Sequence, residues 1–205
     1  SPTGPLHFGS LVAALGSFDG ARAHLGTWVV RMEDLVPQRE VPGAADAILR
    51  TLDAFGFEWE GPVLYQGGRG NNYADALRRV EESGLTFRCA CSRKEIARFG
   101  RIGPEGPIYP GTCRGGLPPG RSARTVRLRT ETSPIAFQDR VQGEVEQDLA
   151  REVGDFVLRR ADGIHAYQLA VVVDDAAQHI NQVVRGADLI LSTPRQMLLQ
   201  RSLDL

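Results

Sequence analysis

The sequence predicts an α/β fold interrupted by a β-rich insert, and three observations support this. The first third, residues 1–85 with the strand that opens the next stretch, alternates helix, strand, helix, helix and strand patterns, the signature of an α/β sheet. The middle, roughly 86–150, is dense in Gly and Pro and then offers three short strand segments. The last part, 151–205, returns to α/β patterning. A chain of 205 residues has room for one substantial domain, or for one domain carrying a smaller inserted one. At that size, folding buries roughly 70% of the surface of the unfolded chain.

Residues 9–25 read as a helix ending at Gly26, and "TWVVRME" (27–33) as a strand. From Gly43, Ala45, Ile48, Leu49, Leu52 and Phe55 recur at helical spacing until Gly56. Asn72 is placed to cap a helix running through Tyr73, Leu77 and Val80 to Gly84, and "LTFRCAC" follows as a strand. Ser92 with Glu95 forms a capping box for a short helix. The stretch "FGRIGPEGPIYPGTCRGGLPPGR" reads as loop, and "TVRLRT" (125–130), "IAFQD" (135–139) and "GEVEQ" (143–147) as strands. "AYQLAVVVDDA" fits strand or helix, since periodicity does not decide. "INQVVRGADL" has a strand-like centre, and Thr193, Pro194 and Gln196 supply a cap, an N1 proline and a capping-box partner for a last helix.

An apolar content of 42% and a charged content of 24% belong to a soluble globular chain. No apolar run approaches the roughly 20 residues of a membrane helix. The net charge of −1 neither demands nor excludes a nucleic-acid partner. Of 24 basic residues only Lys94 is lysine. Arginine favours planar phosphate and carboxylate recognition, but codon bias in a GC-rich genome explains the same excess. Three cysteines, an odd number, argue against a disulfide framework. With no targeting signal legible, they point to reduced thiols in a cytoplasm.

Near the start, "GPLHFGS" places His7 and Gly9 where a loop turns into a helix. A helix N-terminus presents unpaired N–H groups and attracts phosphates. Gly9 would let a ligand approach the backbone, and His7 could donate to a phosphate as charge develops. Taken alone, an H-x-G is equally an ordinary turn with a surface histidine. Glu33, at a strand's end, can hold a substrate ammonium or simply face solvent, and Asp34 shares that choice. Asp174 and Asp175 read as a metal pair or as helix-end acids. Arg121, Arg124, Arg127 and Arg129 read as an RNA-facing cluster or as a solvated strand face. Cys89, Cys91 and Cys113 lie within 25 residues, a soft-ligand set that suggests zinc, which takes four ligands. No histidine lies between His24 and His165 to supply the fourth, and three unrelated thiols is the alternative.

Four segments, in order along nearly the whole chain, carry a resemblance. His7-Phe8-Gly9-Ser10 resembles the "HIGH" signature of class I aminoacyl-tRNA synthetases. "RMEDLVPQRE" (31–40) resembles the R-x-E-D segment of their glutamyl/glutaminyl group, and "YQLAVVVDD" and "VVRGADLILSTPRQ" resemble two later segments of the same catalytic domain. "HFGSLVAALGS", "VPGAADAIL" and the cysteine pattern lean toward the glutamyl-Q tRNA(Asp) synthetases within that group.

The resemblance implies a Rossmann-type parallel sheet split by a zinc-bearing insert. It implies that Tyr109 joins Cys89, Cys91 and Cys113 as fourth ligand of one structural Zn²⁺. It assigns His7, Gly9 and Ser10 to catalysis, and Ser1, Glu33, Tyr167 and Arg185 to glutamate binding. It implies a cytoplasmic, monomeric ligase that converts glutamate and ATP with Mg²⁺ to glutamyl-adenylate, then passes the glutamyl group to queuosine in the anticodon of tRNA(Asp). Two alternatives stand beside it: a glutamyl-tRNA synthetase catalytic domain charging the tRNA 3′ end, and a catalytically silent zinc-bearing tRNA-binding module. Ser10 replaces the second histidine of the signature. The family's "KMSKS"-type loop is expected beyond Leu205, and its arginine just upstream of Ser1.

Overall fold

The computed structural model describes residues 1–205, which part into two units. Ser1–Gly70 with Gln178–Ile190 form the first, and Asn71–Ala177 with Leu191–Leu205 the second.

In the first unit, α1 (Phe8–Ala23) turns Leu11, Ala14, Phe18 and Ala21 toward Trp28, Leu52 and Phe57. These positions recur every three or four residues, which puts them on one helix face. Phe18 meets Trp28 and Phe57 edge-on, at centroid distances of 5.3 and 5.4 Å. The indole N–H of Trp28 donates to Ser17 Oγ at 2.6 Å, so the buried ring keeps its polar atom satisfied. The helix ends before the predicted Gly26. Leu25 takes a left-handed φ of 53°, and the Gly26 N–H returns to the Ala21 carbonyl at 2.8 Å.

The predicted strand 27–33 contracts to β1 (Arg31–Met32). The cause lies in Glu60, whose N–H donates to the Trp28 carbonyl and whose carboxylate accepts from the Trp28 N–H at 2.8 Å. The early residues are thus held by isolated bonds rather than by a ladder. The Trp28 N–H and the Arg22 guanidinium, 2.6 Å away, hold the Glu60 carboxyl below its ordinary pKa. α2 (Ala44–Ala54) follows the predicted periodicity with one correction. Gly56, at φ 79°, closes the helix through a left-handed turn that carries Phe57 into the core and leaves Phe55 66% exposed. β2 (Leu64–Tyr65) pairs in parallel with β1, Arg31 opposite Leu64 and Met32 opposite Tyr65. The expected strand within "INQVVRGADL" does not form. Val183 and Val184 are exposed with no neighbouring strand, and β-branched residues favour a strand only where pairing and packing reward it.

The second unit opens with α3 (Gly70–Glu82), whose Tyr73, Ala76, Leu77 and Val80 are buried. Gly70 already has helical φ and ψ, so the helix begins ahead of Asn72, which does not cap it. Then come β3 (Thr86–Cys89) and α4 (Arg93–Phe99). The Ser92–Glu95 capping box forms as predicted, with bonds of 2.6 and 3.2 Å. The Gly/Pro-rich stretch contains a small hairpin, β4 (Ile102–Gly103) with β5 (Gly106–Pro107). β6 (Thr125–Leu128), β7 (Ile135–Asp139) and β8 (Gly143–Gln147) fall where the three strand segments were read. α5 (Leu149–Glu152) leads to β9 (Val157–Arg159).

β3, β6 and β9 form an antiparallel sheet with β6 at its centre, and β7 pairs antiparallel with β8. Parallel pairing is confined to β1 and β2. The ambiguous apolar run is α6 (Tyr167–Ala177), with Leu169, Ala170, Val171 and Val172 all buried, an apolar surface too wide for a half-exposed strand. In α7 (Thr193–Leu203) the cap position falls to Ser192. Its hydroxyl accepts from the Gln168 and Arg195 side chains and makes no cap bond to the helix backbone, so the predicted Thr193 cap is displaced by one residue. No helix is long and apolar enough to cross a membrane.

Candidate active-site cleft and metal centre

The first unit contains a cleft of about 490 Å³. Ser1, His7, Ser10, Arg31, Glu33 and Arg39 contribute its polar lining, and Trp28, Ile48 and Leu52 part of its apolar wall. Four of the predicted site residues, Ser1, His7, Ser10 and Glu33, are therefore neighbours in space although they come from separate segments. His7 caps α1 with its own side chain. Ser10 N donates to His7 Nδ1 at 3.3 Å, and Ser10 Oγ lies 3.2 Å from Nε2. Gly9 eases this arrangement, because a Cβ at that position would stand a tight 3.2 Å from the imidazole. The glycine makes room for the His7 ring itself. Glu33 and Asp34, adjacent in sequence, separate in role: Asp34 accepts from the Gly67 N–H at 2.8 Å, while Glu33 lines the cleft. Arg31 donates to Gln178 at 2.9 Å. Arg39 was missed as a site residue although it falls within "RMEDLVPQRE"; it sits in a 3₁₀ turn, Pro37–Arg39, and lines the cleft. Arg185, half-buried in the first unit, is not among the cleft's lining residues. Tyr167 is the first residue of α6 in the second unit.

The second unit gathers Cys89, Cys91 and Cys113 so that their sulfurs all lie within 4.8 Å of one another. Cys89 ends β3, Cys91 follows it, and the turn after Tyr109 brings Cys113 back. Cys89, Cys113 and Tyr109 are buried. The Tyr109 hydroxyl joins the group, accepting from the Cys113 N–H at 2.7 Å and standing 3.4 Å from the Cys89 sulfur. Sulfurs also accept from backbone: Cys91 N reaches Cys89 Sγ at 3.4 Å and Ala90 N reaches Cys113 Sγ at 3.5 Å.

Burial raises the Cys89 thiol, but hydrogen bonds from Tyr109 and the Cys91 N–H, with the Arg127 charge, draw it down to about 7. Burial and the neighbouring sulfurs push Cys91 up to about 11, and burial raises the Tyr109 phenol. Crowded thiols that cannot all ionise unaided are what a divalent cation relieves, so the donor set fits a soft metal.

Several other candidates have structural partners. Asp174 is buried and accepts from the Tyr73 hydroxyl at 2.7 Å, which removes it from a metal pair with Asp175. The four arginines do not form one RNA-facing cluster. Arg121 grips Glu95 with two nitrogens, at 2.9 and 3.2 Å, and holds that carboxyl down at about 2. Arg127 is buried, and Arg129 lies over the Phe87 ring.

Comparison with known proteins agrees with this architecture. The sequence profile described as tRNA synthetases class I (E and Q), catalytic domain, matches residues 1–205. The glutamyl-Q tRNA(Asp) synthetase of Dechloromonas aromatica is 66% identical over 99% of this chain and 68% of its own length. That of Chromobacterium violaceum is 60% identical over 96% of this chain and 66% of its own. The chain thus spans about two thirds of these relatives. The crystal structure of a glutamate tRNA ligase from Elizabethkingia meningosepticum superposes with a TM-score of 0.85, covering 99% of this chain and 45% of that one; at 22% identity the likeness is one of fold. A profile matched from the first residue to the last, around a cleft that joins the "HFGS" and R-x-E-D segments, places this chain in the class I tRNA synthetases (E and Q) as their catalytic domain.

Proposed function

We propose that the protein activates glutamate with ATP and transfers the glutamyl group to queuosine in the anticodon of tRNA(Asp). The observation that carries this reading is the 66% identity, over almost the whole chain, to a glutamyl-Q tRNA(Asp) synthetase. The cleft supports it. The glutamate α-carboxylate attacks the α-phosphate of ATP, forming the mixed anhydride and releasing pyrophosphate. A hydroxyl of the queuosine cyclopentene-diol then attacks the anhydride carbonyl, and AMP leaves.

Glu33 meets the substrate ammonium, and Ser1 adds a polar contact. Arg185, outside the cleft's lining, is assigned the side-chain carboxylate by the family resemblance alone, and its planar fork is suited to that partner. His7 lies at the N-terminus of α1, where its ring and the helix N–H groups stabilise charge developing on the phosphate. Ser10 holds that ring in place, and Gly9 leaves room for it. Mg²⁺ enters with ATP, as a substrate ion.

Within the same proposal, residues 86–150 form the insert in a Rossmann-type catalytic domain. Cys89, Cys91, Tyr109 and Cys113 hold one Zn²⁺, which when bound ties β3 to the Tyr109–Cys113 turn as a structural cross-link. A cytoplasmic location accords with a tRNA substrate.

The test uses tRNA(Asp) in three forms: queuosine-modified, unmodified at that base, and modified but shortened at the 3′ end. Labelled glutamate should enter the first and third forms and not the second. Incorporation that requires the 3′-terminal adenosine and ignores the base would assign the activity to ordinary aminoacylation.

A further inference from the structure

Arg127 is the one arginine or lysine that the chain buries, at 6% exposure. A buried cation is costly unless something nearby answers its charge. No carboxylate does so here. Asp155 is the nearest candidate, yet Arg127 Nη1 bonds only its backbone carbonyl, at 2.7 Å. The Asp155 carboxylate is committed elsewhere, accepting from Thr130 N at 2.8 Å and Thr130 Oγ1 at 3.2 Å, with Arg114 at 3.7 Å. The Nε of Arg127 is buried without a hydrogen-bond partner. What the guanidinium does face is the thiol cluster. Its carbon stands 4.0 Å from the centroid of the Tyr109 ring, whose hydroxyl lies 3.4 Å from the Cys89 sulfur.

Charge counting gives this placement a purpose, resting on the zinc reading above. Three thiolates around a divalent cation leave a net negative charge before the tyrosine is considered. The centre is enclosed, so solvent screens that charge weakly. We infer that Arg127 is the counter-charge of the metal centre: a positioning residue, not a ligand, whose buried guanidinium is balanced only when the metal and its thiolates are assembled. The metal site and the arginine then stabilise each other, and each is the worse for the other's loss.

The test compares three variants of the whole chain. Zinc affinity is measured by competition with a chromophoric chelator, and urea unfolding with and without zinc. Arg127→Met removes the charge, Arg127→Gln removes it while keeping a donor for the Asp155 carbonyl, and Arg127→Lys keeps it. The first two should bind zinc about 10–100-fold more weakly, the range typical of outer partners of metal ligands, and Arg127→Lys should stay near the parent. In zinc-free protein Arg127→Met should unfold at the same or higher urea than the parent, and in zinc-loaded protein at lower urea. Parent-like zinc affinity in Arg127→Gln would overturn the inference. So would an equal loss of stability with and without zinc in Arg127→Met, which marks a packing role alone. A parent protein that binds no zinc would instead overturn the zinc reading beneath it.

Discussion

Around Tyr109, four donor side chains from a 25-residue span lie packed together, two of the three sulfurs fully buried. Around His7, the polar groups stand in an open cleft, drawn from the chain start, the head of α1 and the end of β1. The contrast separates two uses of polar chemistry. Enclosed thiols that repel one another when ionised stay protonated unless a cation joins them, so under the zinc proposal metal binding at that centre adds to the folding free energy of the second unit. Solvated groups cost little to maintain, so the cleft can be altered at the expense of activity with limited effect on folding.

The largest effect should come from the enclosed centre. Cys113→Ser should abolish zinc binding and loosen the second unit, since structural zinc contributes about 10–16 kcal/mol in small metal domains. Metal analysis together with limited proteolysis measures this, and a variant that keeps its zinc and its protease resistance would break the contrast. Next, His7→Ala should slow glutamate-dependent exchange of pyrophosphate into ATP by ~10²–10³-fold. Its unfolding free energy should fall by only about 1 kcal/mol, the usual value of a lost helix cap. An active variant of normal stability would reduce His7 to a turn residue.

The smallest effect tests the first unit's scaffold. Glu60 has a folded-state pKa below its unfolded one, so its contribution is complete above the ordinary value of about 4.3 and fades as pH falls through the lower folded value. Glu60→Gln should therefore be slightly less stable than the parent at neutral pH and indistinguishable from it in strong acid. A difference that grows toward low pH would have the wrong sign.

Legibility in the sequence followed the same division. The capping box at Ser92, the strands β7 and β8 and the three-cysteine group rest on local spacing, and local spacing is written in the chain. Strand 27–33 and the segment around Val183 were misread because strand pairing depends on partners distant in sequence. Arg39 is not singled out within "RMEDLVPQRE", and Arg127 is grouped with three other arginines as RNA-facing or solvated rather than as a buried charge. One lines the cleft from an irregular turn and the other looks like any strand arginine, since the burial that distinguishes it comes from tertiary packing. Tyr109 had no ligand-like spacing of its own beyond four residues before Cys113, and only family resemblance singled it out.

The bond that caps α1 also fixes where a proton resides. A backbone N–H can only donate, so Nδ1 of His7 must carry the lone pair that receives Ser10 N. In the neutral ring the remaining hydrogen is then on Nε2, facing Ser10 Oγ. That oxygen, engaged as an acceptor, has its own hydrogen left to direct outward. Backbone, imidazole and hydroxyl form a one-way relay in which every link gives a hydrogen bond toward the next. Such a tautomer directs donors toward an arriving anion. While the cap holds, the imidazole hands its hydrogen bond outward through the Ser10 hydroxyl.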